Sequence, residues 1–267
     1  MEQNYSTENY NDWHAHERDG ALLFDPETHI YRHINHEEPL LSVTSFISSF
    51  FDQYDPYYWI NKDERLSPLE KEEQKKIQDR KGFIARNLGT FMHTQIEHFF
   101  LGEPVEEQML LSEGDEEPQS YSIAKEITYF RDFVMDHRLN PHRTEWMIYD
   151  DEHWLAGTLD LLVEEPNGSF TIYDWKRSRR MGREYGVAFY PNERNIHQSG
   201  HGVLSHLPDT PFLHAALQQN LYRYILSKHY GIEVEKMFLV ILSPSFSRYH
   251  KVQVPLLQEE IRLMLES

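Results

Sequence analysis

The chain has 267 residues, a formal charge of −18, 39% hydrophobic and 13% aromatic content, and no cysteine. That much apolar material suits one substantial globular unit, and the absence of thiols excludes disulfides, cysteine nucleophiles, Cys-built zinc sites and iron–sulfur clusters. No apolar run approaches the ~18 residues that span a bilayer, so no membrane partner is expected.

Residues 1–20 are polar, acidic and rich in Asn and Tyr, unlike a secretory signal or an Arg-rich transit peptide. They read as a disordered tail on an intracellular chain. Residues 21–88 then read as an annex of short strands and helices. Ala21–Tyr31 and Leu40–Val43 predict strands around a turn at DPET, and Ser42 or Thr44 caps a helix over Ser45–Phe51. Phe46, Phe50, Phe51, Tyr54, Tyr57, Tyr58 and Trp59 read as core, and any exposed member could stack on an unpaired base. Ser67, Pro68 and Glu70 have the spacing of a capping box with Pro at the first helical position. The charged helix behind them is interrupted by Gly82, and Lys75, Lys76, Arg80, Lys81 and Arg86 would face either solvent or a phosphate backbone.

Residues 89–267 carry the informative patterns. In Gly89–Phe100 the apolar residues Met92, Ile96, Phe99 and Phe100 form a helical stripe, with His93 and Glu97 four apart at its edge. An imidazole and a carboxylate so placed can serve one ion, although such a pair is commonly a plain surface hydrogen bond. Glu103–Glu117 reads as an acidic surface loop. Ser122–Arg138 predicts an amphipathic helix, and Thr144–Tyr149 a strand in which Glu145 could reach a site only through water.

The strands Leu155–Val163 and Phe170–Lys176 flank a turn at Pro166-Asn167-Gly168, which predicts an antiparallel hairpin. Asp160 and Asp174 lie seven residues either side of Asn167, so the pairing gathers both carboxylates with Lys176, which shares the Asp174 face. Two carboxylates this close repel each other unless a cation joins them, and an oxygen-rich pocket suits Mg²⁺ or Mn²⁺. Alone, however, D-x-K is more often an ordinary ion pair on an exposed strand. Lys176–Arg183 holds five basic residues in eight, a strip able to receive phosphates or simply to be solvated. Residues 184–212 have no period and read as an inserted loop. Leu213–Tyr230 predicts a helix presenting Gln218 and Tyr222 together, followed by strands at Lys236–Leu242 and Tyr249–Val254 and a short helix over Leu256–Leu265.

In order, G-T-x-x-H-x-x-x-E, G-T-x-D, D-x-K and Q-x-x-x-Y resemble the PD-(D/E)XK nuclease superfamily, in its RecB-type exonuclease branch. The matching residues are Gly89, His93 and Glu97; Gly157 and Asp160; Asp174, Lys176 and Ser178; Gln218 and Tyr222. The resemblance covers roughly Leu22 to Val254. It departs from the branch in lacking the four iron–sulfur cysteines of many members, and Leu159 stands where the family name has proline. It implies an α/β fold, a central mixed sheet flanked by helices in a restriction-endonuclease-like core with an N-terminal helical annex.

The resemblance also implies Mg²⁺ or Mn²⁺ held by His93, Asp160, Asp174, the Trp175 carbonyl and Glu97, with Lys176 at the attacking water or the phosphate. Gln218, Tyr222, Ser178, Arg177, Arg179 and Arg180 would position the strand. The expected activity is a metal-dependent DNA nuclease, most simply an exonuclease on single strands or DNA ends. The alternative is a nuclease-fold subunit that binds DNA or a protein partner within a larger assembly, which the strongly acidic balance would suit.

Overall fold

In a computed structural model the described residues are 10–26, 28–114, 117–181 and 198–267, the side chain of Arg180 excepted. The chain forms a mixed sheet flanked by helices on both faces. In chain order its elements are α1 (Tyr10–Trp13), β1 (Leu22–Asp25), β2 (Ile30–His33), β3 (Pro39–Ser42), α2 (Val43–Ser48), α3 (Tyr58–Lys62), α4 (Pro68–Phe100), β4 (Gln108–Leu111), β5 (Gln119–Ser122) and α5 (Ala124–His137). Then follow β6 (Pro141–Asp150), β7 (Leu155–Glu164), β8 (Phe170–Lys176), α6 (Pro211–Tyr230), β9 (Val234–Ile241), β10 (His250–Gln253) and α7 (Gln258–Leu265).

The main sheet runs β1-β2-β3-β7-β8-β9-β10, with β6 on the other edge of β7. β3–β7 and β8–β9 are parallel and the remaining neighbours antiparallel. The parallel pair β8–β9 is joined through α6, the crossover such a pair requires. The hairpin register aligns Leu161 with Tyr173 and Val163 with Thr171, so Asp160 and Asp174 face one another where the ladder ends.

Two cores lie on the two faces. One packs α2, α6 and α7 through Ile47, Leu217, Leu221 and Ile261 against Leu159, Ile172 and Leu239. The other packs α4 and α5 through Met92, Ile96, Phe100, Phe130 and Phe133 against Tyr173 and Trp175. Met92, Ile96 and Phe100 recur every four residues, which is why the second half of α4 seats on the sheet.

Four sequence expectations change. Residues 10–20 are no loose tail: Tyr10 is buried, and the Asn11 side chain both donates to Thr144 O and accepts from Thr144 N, closing part of the free edge of β6. Asp19 accepts from Arg143 and from the Trp146 indole. Residues 1–9 lie outside the described residues. The division at residue 88 falls inside α4, one helix of 33 residues, because a single glycine at 82 costs about 1 kcal/mol against many strong helix formers and a complete Ser67–Glu70 capping box. The strands of residues 21–88 belong to the main sheet through β3. The acidic stretch 103–117 contributes strand β4, paired with β5, rather than being all loop. Of the expected inserted loop, 184–197 lies outside the described residues, and 198–210 forms a short 3₁₀ turn at Gly202–Leu204 closed by a bridge between Ser199 and Pro208.

Candidate metal centre

Strand β7 shares one edge between two neighbours. Leu155 and Ala156 pair with β3, Leu161–Glu164 pair with β8, and residues 157–160 have no strand partner on that side. The sheet therefore parts beside Gly157–Asp160. A cavity of 480 Å³ opens there, lined by His93, Glu97, Glu145, Asp160, Asp174 and Lys176 among others.

The parting coincides with a break in strand alternation. Leu155, Leu159 and Leu162 join the α6-side core, whereas Leu161 and Val163 join the α4-side core, so the facing order shifts at Asp160. Opposite Asp160 in the β6 register stands Glu145, at φ 45°, left-handed backbone that a residue other than glycine seldom adopts. The consequence is that Glu145 turns into the cavity beside Asp160. One ligand atom each from His93, Glu145 and Asp160 lies within 4.8 Å of the others.

His93 reaches this point from the last third of α4. Its Nε2 is 3.0 Å from the Trp175 carbonyl oxygen, and its Nδ1 is 3.4 Å from Asp160 Oδ2 and 3.7 Å from Glu145 Oε1. Asp160 also accepts from the Trp175 backbone N–H at 2.8 Å. Lys176 donates to Asp174 Oδ1 at 3.0 Å. Its ammonium is 2.8 Å from Oδ2 as well, but outside hydrogen-bond geometry, and that buried oxygen accepts no hydrogen bond. Asp160 and Asp174 are 7% and 4% exposed, enough to be desolvated and still face the cavity.

The charges are strongly coupled. Burial alone would lower the His93 pKa, but the Asp160 and Glu145 carboxylates outweigh it and raise it to about 9. Burial, with Asp160 adding to it and Lys176 opposing it, pushes Asp174 up to about 6. Asp160 is raised by burial and by Glu145, against the pull of His93 and Lys176. Burial would lower Lys176, yet Asp174 and Asp160 hold it above the ordinary lysine value as an ammonium. Protonated His93 thus stands between the Trp175 carbonyl, Asp160 and Glu145, a positive charge where the acids converge.

Across the cavity α6 supplies Tyr222 and Gln218, whose amide donates to the Tyr222 hydroxyl at 3.0 Å. Tyr222 is buried, which pushes its phenol well above the ordinary value, so the hydroxyl keeps its proton as a donor. Tyr31 of β2, hydrogen-bonded to Thr158 at 2.9 Å, completes the wall.

The structure thus brings together His93, Asp160, Trp175 O, Asp174, Lys176, Gln218 and Tyr222. Glu97 lines the same cavity, with its carboxyl raised by burial, but lies outside the group that closes on His93. Gly89 lines the cavity with open space where a Cβ would stand. Arg177 is turned away: it donates to the fully buried Glu126 at 2.7 Å, a pair that ties the end of β8 to α5. Ser178 and exposed Arg179 line a separate groove, and the Arg180 side chain lies outside the described residues. Sequence reasoning gave Glu145 no more than a water-mediated approach and missed Tyr31; the inward turn of Glu145 rests on its left-handed backbone.

No protein-family pattern matches the chain, and no curated protein matches it. Fourteen chains of solved structure match. One is the crystal structure of SSO0001, aligned over 86% of this chain and 75% of that one with 14% sequence identity and a TM-score of 0.34. Among the described residues no helix is long and apolar enough to cross a membrane.

Proposed function

We propose that this protein is a divalent-metal-dependent nuclease that hydrolyses DNA phosphodiester bonds, acting on single strands or from ends. The observation that carries the reading is the meeting of Asp160, Asp174, Lys176 and His93 at the parting of the sheet. It agrees with the resemblance to the RecB-type branch of the PD-(D/E)XK nucleases, argued from the same residues.

The residues fit a hard cation. Asp160 and Glu145 crowd negative charge together with one imidazole beside them, and buried Asp174 stands next to them with Lys176 as its counter-charge. Mg²⁺ or Mn²⁺ held by Asp160, Asp174, the Trp175 carbonyl and His93 would neutralise the scissile phosphate and lower the pKa of a bound water. Glu145 and Glu97 would complete the acidic lining. Lys176, kept as an ammonium by two carboxylates, suits orientation of the nucleophile and stabilisation of negative charge on the phosphate better than proton abstraction. Gln218 and Tyr222 offer an amide and a phenol to the substrate backbone. The Trp175 N–H fixes the Asp160 carboxylate so that its other lone pairs face the cavity.

The deciding experiment incubates the purified protein with linear single strands, linear duplex and closed circles, with chelator and then with Mg²⁺ or Mn²⁺. Metal-dependent loss of linear single strands, spared circles, and no cleavage by Lys176→Met are expected. Full activity in Lys176→Met would sink the assignment. The net charge of −18 favours one other reading, a subunit that binds DNA within a larger assembly. Metal binding without cleavage by the isolated protein would select it.

A further inference from the structure

Many of the described lysines and arginines are neutralised locally. Arg65 pairs with Asp63, Lys75 with Glu72, Arg80 with Glu113 and Arg131 with Glu107. Lys81, Arg86 and Arg179 behave differently. All three are exposed, and none forms an ion pair among the described residues. They come from α4 and from the turn after β8, nearly a hundred residues apart in sequence, yet they line one groove of 1020 Å³. Two acids also line the trough, but Glu113 is paired with Arg80 and Asp79 accepts from the Tyr57 hydroxyl, so in a chain of charge −18 the three cations without ion pairs mark a place for an anionic partner.

The groove has three further properties. It adjoins the candidate site through Tyr54, which lines both this groove and the neighbouring cavity that Lys176 and Gln218 line. Its rim holds Tyr54, 51% exposed, and Pro56, after which α3 presents Tyr58 and Trp59 at 42% and 69% exposure. Large aromatic faces left in water beside cations suit unpaired bases, which every single strand offers and a stacked duplex withholds. It is also lined by Ser243, Pro244 and Ser245, which bear hydroxyls and no charge.

We propose that this groove is the track of an unpaired nucleic-acid strand running to the Lys176 site, with Lys81, Arg86 and Arg179 on its phosphates and Tyr54 and Trp59 against its bases. The strand's destination rests on the nuclease reading; its binding does not.

The test is fluorescence anisotropy of a labelled oligothymidylate with the full chain in EDTA, so that no cleavage intervenes, across a salt series. The triple variant Lys81→Gln/Arg86→Gln/Arg179→Gln should bind about tenfold or more weakly, and the plot of log affinity against log salt should become shallower by about 2, at about 0.7 per phosphate contact. Trp59→Ala should weaken binding about fivefold or more without changing the slope. Each single charge variant, should the triple one fail to melt like the wild type, should make the slope shallower by about 0.7. Unchanged affinity and slope overturn the proposal, as does a blunt hairpin duplex that binds as tightly as the oligothymidylate. Wild-type protein that binds the strand but never cleaves it with Mg²⁺ or Mn²⁺ removes the nuclease reading and leaves the groove. A triple variant that cleaves linear single strands with wild-type KM removes the groove and leaves the nuclease.

Discussion

A side chain at residue 157 would collide with Tyr222. A Cβ built on Gly157 stands 2.6 Å from Tyr222 Cε1 and 2.7 Å from its hydroxyl. The ring cannot swing aside cheaply, being buried and tied to Gln218. Gly157→Ala should therefore destabilise the protein by about 1–3 kcal/mol through overpacking. Urea unfolding reads this directly, and an unchanged midpoint would show that the wall at Tyr222 is slack.

Metal affinity should rise with pH. In the metal-free protein the His93 proton, with a pKa of about 9, competes with a cation, and Asp174 is fully ionised only above its pKa of about 6. Calorimetry with Mn²⁺ should show protons released on binding at pH 7 and tighter binding at pH 8 than at pH 6. The same two groups bias metal-free stability in one direction. Both folded pKa values lie above the unfolded ones, so their contributions are lost as pH rises, Asp174's through about 6 and His93's through about 9. Added Mn²⁺ should hence raise the melting temperature more at pH 8 than at pH 6, and Asp174→Asn should abolish most of that rise.

Glu145→Gln separates this acid from the background. Because Glu145 is one of two carboxylates holding His93 up, its neutral replacement should bring the His93 pKa down from about 9, visible in the imidazole NMR titration. Cleavage should fall by about tenfold or more with the fold intact. An unmoved titration would mean that Glu145 and His93 do not share the cavity in solution.

Arg177 and Glu126 form a structural pair, since Glu126 is 1% exposed and its partner's side chain 19%. Removing one charge from such a buried pair costs about 3 kcal/mol, whereas removing both costs much less. Arg177→Gln should accordingly lower the unfolding midpoint strongly and Arg177→Gln/Glu126→Gln much less. A double variant as unstable as the single one would point instead to lost packing of the arginine stem.

The hairpin that carries Asp160, Asp174 and Lys176 was legible because strand alternation and a Pro-Asn-Gly turn fix register from sequence alone. The edge position of His93 was legible from the four-residue recurrence of Met92, Ile96 and Phe100. Glu145 was not, because its inward turn depends on a left-handed backbone angle that breaks the alternation on which strand reading relies. Arg177 was misplaced for another reason: its partner Glu126 sits 51 residues upstream, and no local pattern announces a buried acid on a helix. The docking of residues 10–20 was hidden likewise, since Asn11 and Asp19 bind groups of β6 more than a hundred residues away.

At 33 residues, α4 is a rod about 50 Å long. Lys81 and Arg86 sit near its middle and His93 about 18 Å beyond Lys81 along the same axis. Without a break at Gly82, the rod has no hinge between them. With Met92, Ile96 and Phe100 buried against the sheet, the rod works as a ruler that fixes the span between the exposed cations of its middle and the imidazole among the acids.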